Sequence, residues 1–534
     1  MPSRHGTSTG PKCPSLCFLI IVSAKMSQLP SSFHEEIDNE RHNRTPSVLS
    51  ETTSEFSKKS NPSEISVLPE EETISEEVLE LKYADRIATK EFLESYIAQY
   101  PLPELTGHLP WKKFRHGWFT AYRRLFTLVF MINLIAILLL AVLRPHTTFD
   151  TAAIGVASNV LASVLVRHDN LANGWIKLTH KFGRWPLFLR RRAVRIYSHG
   201  GIHSGCGASA TVWFIYFSVL VVIQPLRDDQ HLLRIGLFIT TGAILACLLA
   251  IVGMSHPSFR IKYHNVWEMS HRYLGWTVTA FFWLLVAITC AASNKPFSTA
   301  LVESPPFWCT LLVTILVFYP WLILRRRQFL ATKLSDHALK CDFNYRHSRV
   351  GHSIRIASSP LGDYHTFATI PRADGKQGFS VVISNAGDWT KKMIEPGSRQ
   401  DAIWTRGRVF LGVMEVPMLF KPLVIAATGS GISPCMAFMN THPNWPIRLV
   451  WSTRNPTATY GKDVMDLVLR ADPNAIIIDT KLTGRPNMNA LVYAAAKEIQ
   501  AEAVLLVSTQ PVTKSLTYEM EARGVYVISP IFDA

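Results

Sequence analysis

Six long apolar stretches follow one another between positions 111 and 327, and a water-soluble core has no room for so many in succession. They fall at 125–142, 152–166, 208–224, 235–254, 274–292 and 307–324. Crossing the hydrocarbon layer takes about 20 apolar residues in a helix, because a backbone in lipid must satisfy its own hydrogen bonds. The second stretch is short and carries Ser158 and Asn159, so it is the weakest of the six. Hydrophobic residues make up 48% of the chain and charged ones only 18%, but their clustering is the stronger signal. The expectation is a six-helix transmembrane bundle at 111–328, in a multi-pass protein of the plasma membrane or an endomembrane. Its first partner is then the lipid bilayer.

The formal charge of +15 would suit a nucleic-acid binder, yet the basic residues gather beside the apolar stretches, as in Arg190-Arg191-Arg192 and Arg325-Arg326-Arg327. Such loops follow the bias of lysine and arginine toward the cytosolic face. The opposite loop at 225–233 is short and carries Asp228 and Asp229. This pattern puts both chain ends in the cytosol and argues against nucleic acid as a partner. The eight cysteines include no C-x-x-C pair and several sit inside apolar runs, which argues against a disulfide framework or a zinc site.

Residues 1–110 read as a disordered cytosolic tail, with acidic runs such as Glu70-Glu71-Glu72 and room for a short helix at 75–96. Arg4 and Lys12 precede an apolar run at 16–23 that loosely resembles a secretory signal; the plainer expectation is an irregular N-terminus, with Met26 as an alternative start. Beyond 329 the pattern changes to short β-rich runs at 353–357, 364–370 and 379–384. After Pro422, strands at 423–427, 447–451, 475–478 and 503–507 alternate with helical segments, one of them at 489–500. This predicts a β-barrel at 329–421 followed by an α/β nucleotide-binding domain at 422–534.

Three groups of residues could carry chemistry. His203 and His271 open the third and fifth spans from the same side of the membrane, each within an H-x-x-x-G pattern, to Gly207 and Gly275. A histidine at such a position is costly unless it faces the bundle interior, and two at equal depth suit axial ligation of one b-type haem. Gly205, Gly207 and Gly275 would leave room for a flat macrocycle, and His199 and His264 are competing ligands. The second group is Leu423 to Pro434: a hydrophobic strand, a turn Gly429-Ser430-Gly431, and a proline at a helix start. Glycines there let backbone N–H groups approach a pyrophosphate at a helix N-terminus. Arg454, after the next strand, and Arg485, in Gly484-Arg485-Pro486, are candidates for an adenosine 2′-phosphate, as in NADPH. The third group, His365-Thr366-Phe367-Ala368-Thr369, puts an aromatic on a barrel strand where a flavin can stack; by spacing alone Phe367 reads as a core residue.

Together these motifs resemble the ferric reductase and NADPH oxidase superfamily, a six-helix haem domain followed by an FAD- and NADPH-binding ferredoxin-reductase-like module. The likeness runs over 111–534 and looks closest to fungal transmembrane flavoproteins linked to conidiation and redox homeostasis. The module is also similar to the membrane C-terminal part of synthetase-like adenylating proteins, through Trp451-Ser-Thr-Arg-Asn-Pro456, Gly484-Arg-Pro486 and Pro530-Ile-Phe-Asp-Ala534. The resemblance implies FAD at His365, Thr366, Phe367 and Thr369, NADPH at Gly429, Ser430, Gly431, Pro434, Arg454 and Arg485, and a haem at His203 and His271. The electron acceptor is left unspecified, and no residue is assigned as catalytic. Four departures stand out. Members that pass electrons across the membrane carry a second histidine 13 or 14 residues after each first one, where this chain has Tyr216, Phe217, Leu284 and Leu285. Ala368 stands where Ser or Thr is usual. Ser433 replaces a common glycine, and Ser508-Thr509-Gln510-Pro511 stands where Cys-Gly-Pro is typical. The expectation is an NAD(P)H-dependent flavin oxidoreductase feeding one inner haem. The alternatives are a ferric-chelate reductase or superoxide-producing oxidase, and a redox-signalling scaffold that keeps the fold without electron flow.

Overall fold

The computed structural model describes residues 82–529, apart from 145, 225, 227 and 396–400. The secretory-like run, most of the polar tail and the C-terminal motif at 530–534 lie outside the described residues. Among the described residues, six helices are long and apolar enough to cross a membrane, one at each expected stretch. They include α2 (Ala121–Leu143), α3 (Phe149–Arg167), α5 (Gly200–Ile223), α6 (His231–Met254), α7 (His264–Ala291) and α8 (Pro305–Leu322), with α4 (Asp169–His180) between α3 and α5. The span ending in α5 is the central one: 50% of its apolar window is buried inside the molecule, against 6% for α2. The outward faces of the others are apolar and exposed, including Leu138, Leu139, Ile239 and Phe318. A bundle surrounded by lipid has this distribution.

The weak second span is explained by its polar residues. Asn159 on α3 donates to Asn133 Oδ1 on α2 at 2.7 Å, and Trp213 Nε1 on α5 donates to the same oxygen at 2.9 Å. Three helices are thus tied together by side chains that lower the hydropathy of the segment.

Strands β1 (Arg325–Gln328), β4 (His352–Ala357), β5 (His365–Ala368), β8 (Ala402–Thr405) and β9 (Phe410–Leu411) form one antiparallel sheet. Strands β2 (Leu330–Ser335), β3 (Ala338–Phe343), β6 (Ile370–Pro371) and β7 (Phe379–Ser384) form another. The expected closed barrel is therefore corrected to two packed sheets, whose shared core includes Phe343, Ile356, Phe379 and Ile383. The chain passes between the sheets at Phe329 and again at Thr369, where the ladder breaks: Phe329 N–H bonds the Asp401 carbonyl and Thr369 N–H bonds the His352 carbonyl. Helix α9 (Asp388–Ile394) follows β7.

The last unit is a parallel sheet of order β12-β11-β10-β13-β14, with β10 (Leu423–Thr428), β11 (Ile447–Thr453), β12 (Ile476–Asp479), β13 (Ala503–Val507) and β14 (Val527–Ile528). Helices α10 (Ile432–Thr441), α11 (Pro456–Ala471), α12 (Met488–Glu498) and α13 (Gln510–Glu521) separate the strands. Both faces of the sheet are covered, which is why β10, β11 and β13 read as continuous apolar runs.

Residues 82–110, expected within the disordered tail, are folded against this unit. Helix α1 (Lys90–Gln99) buries Leu93 and Tyr96 among Leu491, Tyr493 and Met520. Tyr96 donates to Glu498 at 2.7 Å, and Ala88 N–H bonds the Ile477 carbonyl at 2.8 Å on the edge strand β12. An open parallel edge is a liability that this segment covers. Composition hid it, because only a few apolar residues among many polar ones make the contact.

Candidate functional site

The strand order reverses between β10 and β13, and in open parallel sheets the crevice at the carboxyl ends of such strands is where ligands bind. The glycine turn stands there. Gly429 has φ +52, and a Cβ on Gly431 would lie 2.2 Å from the Val507 carbonyl oxygen at the end of β13. Only glycine lets the two strand ends approach so closely. Thr428 and Ser508, the residues flanking these ends, share a hydroxyl hydrogen bond of 2.6 Å. Arg454 follows β11 and Arg485 lies in the segment after β12, so both reach the same edge of the sheet, and both are exposed. Asp479, buried at the end of β12, accepts from the N–H groups of Asn455 and Lys481 and so holds the loops that carry the two arginines.

A cleft of ≈ 430 Å³ opens between this turn and the two-sheet domain, within the usual range of about 300–1,000 Å³ for ligand sites. Thr366 and Phe367 on β5 face Ser430, Ser433 and Pro434 across it. The hydroxyls of Ser384 and Ser433, which both line the cleft, are buried and have no hydrogen-bond partner. Such a group destabilises the fold by about 1–3 kcal/mol unless something else completes it. A ligand with polar edges would do so.

His365 does not line the cleft itself. Its ring packs on Trp389 of α9 at 4.4 Å between centroids, and Phe367 lies 6.0 Å from the same indole. Its Nε2 is buried without a partner, and burial holds its pKa below the ordinary histidine value. Thr369 serves the fold instead: it is buried, and its hydroxyl bonds the His352 carbonyl at 3.0 Å and Ser348 at 2.5 Å. Trp389, Ser384 and His352 were not singled out from sequence. The one available signal was a tryptophan in the first turn of a short helix after a glycine, Gly387-Asp388-Trp389. Cys435 sits beside Pro434, but burial pushes its thiol up to about 12, so it holds no thiolate at neutral pH.

In the bundle the two singled-out histidines meet. The rings of His203 on α5 and His271 on α7 lie 6.1 Å apart between centroids, tilted by 59°. Two imidazoles on opposite sides of one metal have centres roughly 6 Å apart, counting about 2 Å for each metal–nitrogen bond. His203 Nδ1 donates to the Ser163 carbonyl at 2.9 Å, which leaves the lone pair on Nε2. Backbone-anchored imidazoles of this kind are the usual metal ligands. His271 Nδ1 is buried without a partner. A Cβ on Gly207 or on Gly275 would meet nothing within 4 Å, whereas at Gly205 it would press on Val129 and the Phe126 carbonyl of α2. Gly205 is therefore a helix-packing residue, while the other two do leave space. The competitors point elsewhere: His199 bonds the Ile196 carbonyl and His264 lies on Trp267. The residues present fit a bis-histidine haem.

A parallel sheet with a glycine turn at its switch point is the kind of crevice in which dinucleotides bind. Residues 413–534 match the family model described as the C-terminal domain of adenylate-forming reductase 03009. Adenylate-forming reductase 03009 of Coprinopsis cinerea is 35% identical over 438 residues, covering 81% of this chain and 42% of that protein. Adenylate-forming reductase 06235 of the same organism is 35% identical over 451 residues, covering 83% and 43%. The chain thus spans less than half the length of these curated relatives, and the matched stretch is long enough to include helices of the bundle. Among solved structures, a ferredoxin NADP+ reductase from Neisseria gonorrhoeae with bound FAD and NADP is 11% identical, with a TM-score of 0.32, over 39% of this chain and 99% of that one. A flavohemoglobin from Malassezia yamatoensis with bound FAD and heme is 11% identical, also with a TM-score of 0.32, over 72% and 96%.

Proposed function

We propose that the chain is a membrane-bound NAD(P)H-dependent flavoprotein oxidoreductase that passes electrons from NADPH through FAD to a single inner haem b or a nearby acceptor. The observation that carries this reading is the cleft, where unpartnered hydroxyls of both domains meet the glycine turn. In it, Gly429, Ser430, Gly431 and Pro434 hold the pyrophosphate at the start of α10, and Arg454 or Arg485 at the strand ends pairs with the 2′-phosphate. Thr366 and Phe367 hold the flavin, with His365 and Trp389 bracing that wall of the site. Bound between His203 and His271, a haem would supply one-electron chemistry. The reductase names of both relatives agree with this reading. Outward transfer finds less support: Phe217 and Leu285, at the positions where a second ligand pair would stand, are buried in an apolar core.

The test is turnover of the full-length protein in detergent with FAD, NADPH and a dye acceptor. Turnover is expected, and Arg454→Ala should raise the KM for NADPH about tenfold or more while leaving that for NADH unchanged. Absence of turnover with FAD bound would favour the scaffold reading.

A further inference from the structure

A second cavity, of ≈ 280 Å³, lies where the last membrane helix enters the two-sheet domain and shares no lining residue with the cleft. Ile323, directly after α8, forms part of its wall. Six arginines line it: Arg325, Arg327, Arg346, Arg355, Arg406 and Arg408. Of the six, only Arg355 has an ion pair with a described residue, a two-pronged one to Asp169 at 2.6 and 2.8 Å. The other five guanidinium groups bring like charges together, which is unfavourable without an anion between them.

The groups are also held in place. The Arg406 guanidinium lies 4.1 Å from the Tyr364 ring centroid and 4.9 Å from that of Trp321. Arg327 lies 4.3 Å from the ring of Tyr345, and its Nε is buried with no hydrogen-bond partner. Stacked guanidinium forks with free donors suit the oxygens of a phosphate, which they can bind two at a time. Flavin and nucleotide are provided for in the separate cleft, so this charge remains unused by the proposed reaction.

We propose that this pocket binds a phosphate-bearing anion, supplied either by the headgroup of an anionic phospholipid in the adjoining leaflet or by a soluble phosphate compound. The position at the end of the last span favours the headgroup, since basic pockets at that level meet the negatively charged cytosolic leaflet. Binding there would clamp the electron-donating module to the membrane surface.

The full chain would be reconstituted in nanodiscs of phosphatidylcholine alone or with phosphatidylinositol 4-phosphate, and separately titrated in detergent with inorganic pyrophosphate. Wild type is compared with Arg346→Gln/Arg408→Gln, whose side chains lie at the exposed rim, and with Arg326→Gln, an equally exposed charge outside the pocket. A shift of the unfolding temperature by phosphoinositide, pyrophosphate or both is expected in wild type and Arg326→Gln. Affinity should be at least about tenfold weaker in the double variant, with flavin content unchanged. A response to the lipid only identifies the headgroup as the source, and a response to pyrophosphate only identifies a soluble ligand. Equal affinity in all three proteins, no response to either probe, or loss of flavin in the double variant would overturn the proposal. None of these outcomes depends on whether NADPH is turned over.

Discussion

Gly431 of the glycine turn and Ser433, two residues further on in α10, respond to substitution in different ways. Gly431→Ala places a methyl group against the Val507 carbonyl, and backbone cannot step aside there as a side chain tip would. A loss of about 1–3 kcal/mol in thermal or denaturant unfolding is expected, with weakened nucleotide binding. Ser433→Ala removes a buried hydroxyl that has no partner in the protein. Stability should hold or rise by up to about 1 kcal/mol, while ligand affinity falls up to about tenfold. A stability loss at Ser433 equal to that at Gly431 would mean that its hydroxyl serves the fold. His365 makes a pH prediction. Burial lowers its folded-state pKa below 6.5, so the neutral ring is the favoured form. Its contribution is complete above the ordinary histidine range and is lost as pH falls through the lowered value. Flavin release on acidification, followed by fluorescence, should therefore shift to lower pH in His365→Gln. An unchanged profile would assign the effect to His352, which unlike His365 lines the cleft and whose pKa burial also lowers.

At the scale of elements, the sequence was most legible where one physical rule dominated. Length and hydropathy alone located all six long apolar helices, and continuous apolar runs located the parallel strands. The turn Gly429-Ser430-Gly431 was readable because two strand ends converge on it. The corner at Thr369 was not, since a strand that bends from one sheet to the other keeps its alternation while breaking its ladder. The polar residues of α3 misled in the same way, because Asn159 looks like a weak spot in a span when its partner on another helix is unknown. Asn159→Leu should destabilise the bundle by about 0.6–2 kcal/mol, measured by unfolding in detergent. Combining it with Asn133→Leu should cost less than the two single losses summed, because the pair shares one bond while Asn133→Leu alone also strands Trp213 Nε1. Fully additive losses would contradict the shared network.

For the whole molecule, the basic loops, read from the sequence as a sign of orientation, also hold the units together. Arg190 forms a two-pronged ion pair with Glu502 at 2.6 and 2.8 Å, and Arg191 donates to the Glu502 carbonyl at 2.6 Å. Asn173 of α4 donates to the Val409 carbonyl and accepts from Leu411 N–H, both at 2.8 Å. Loop charge therefore reads as topology from the sequence and also serves as docking surface in the fold, a second use that no pattern on a single strand of sequence displays. Glu502→Ala should cost about 1.5–3 kcal/mol and speed limited proteolysis of the C-terminal unit, and unchanged proteolysis would count against docking through this carboxylate. His203 and His271 are proposed to hold one haem in a chain that also carries a flavin. The most direct test is the absorption spectrum and cofactor stoichiometry of the purified full-length chain beside His203→Ala and His271→Ala. One haem and one FAD per chain are expected, with the Soret band abolished by either substitution and flavin retained. A wild-type protein that carries FAD and shows no Soret band would contradict the account.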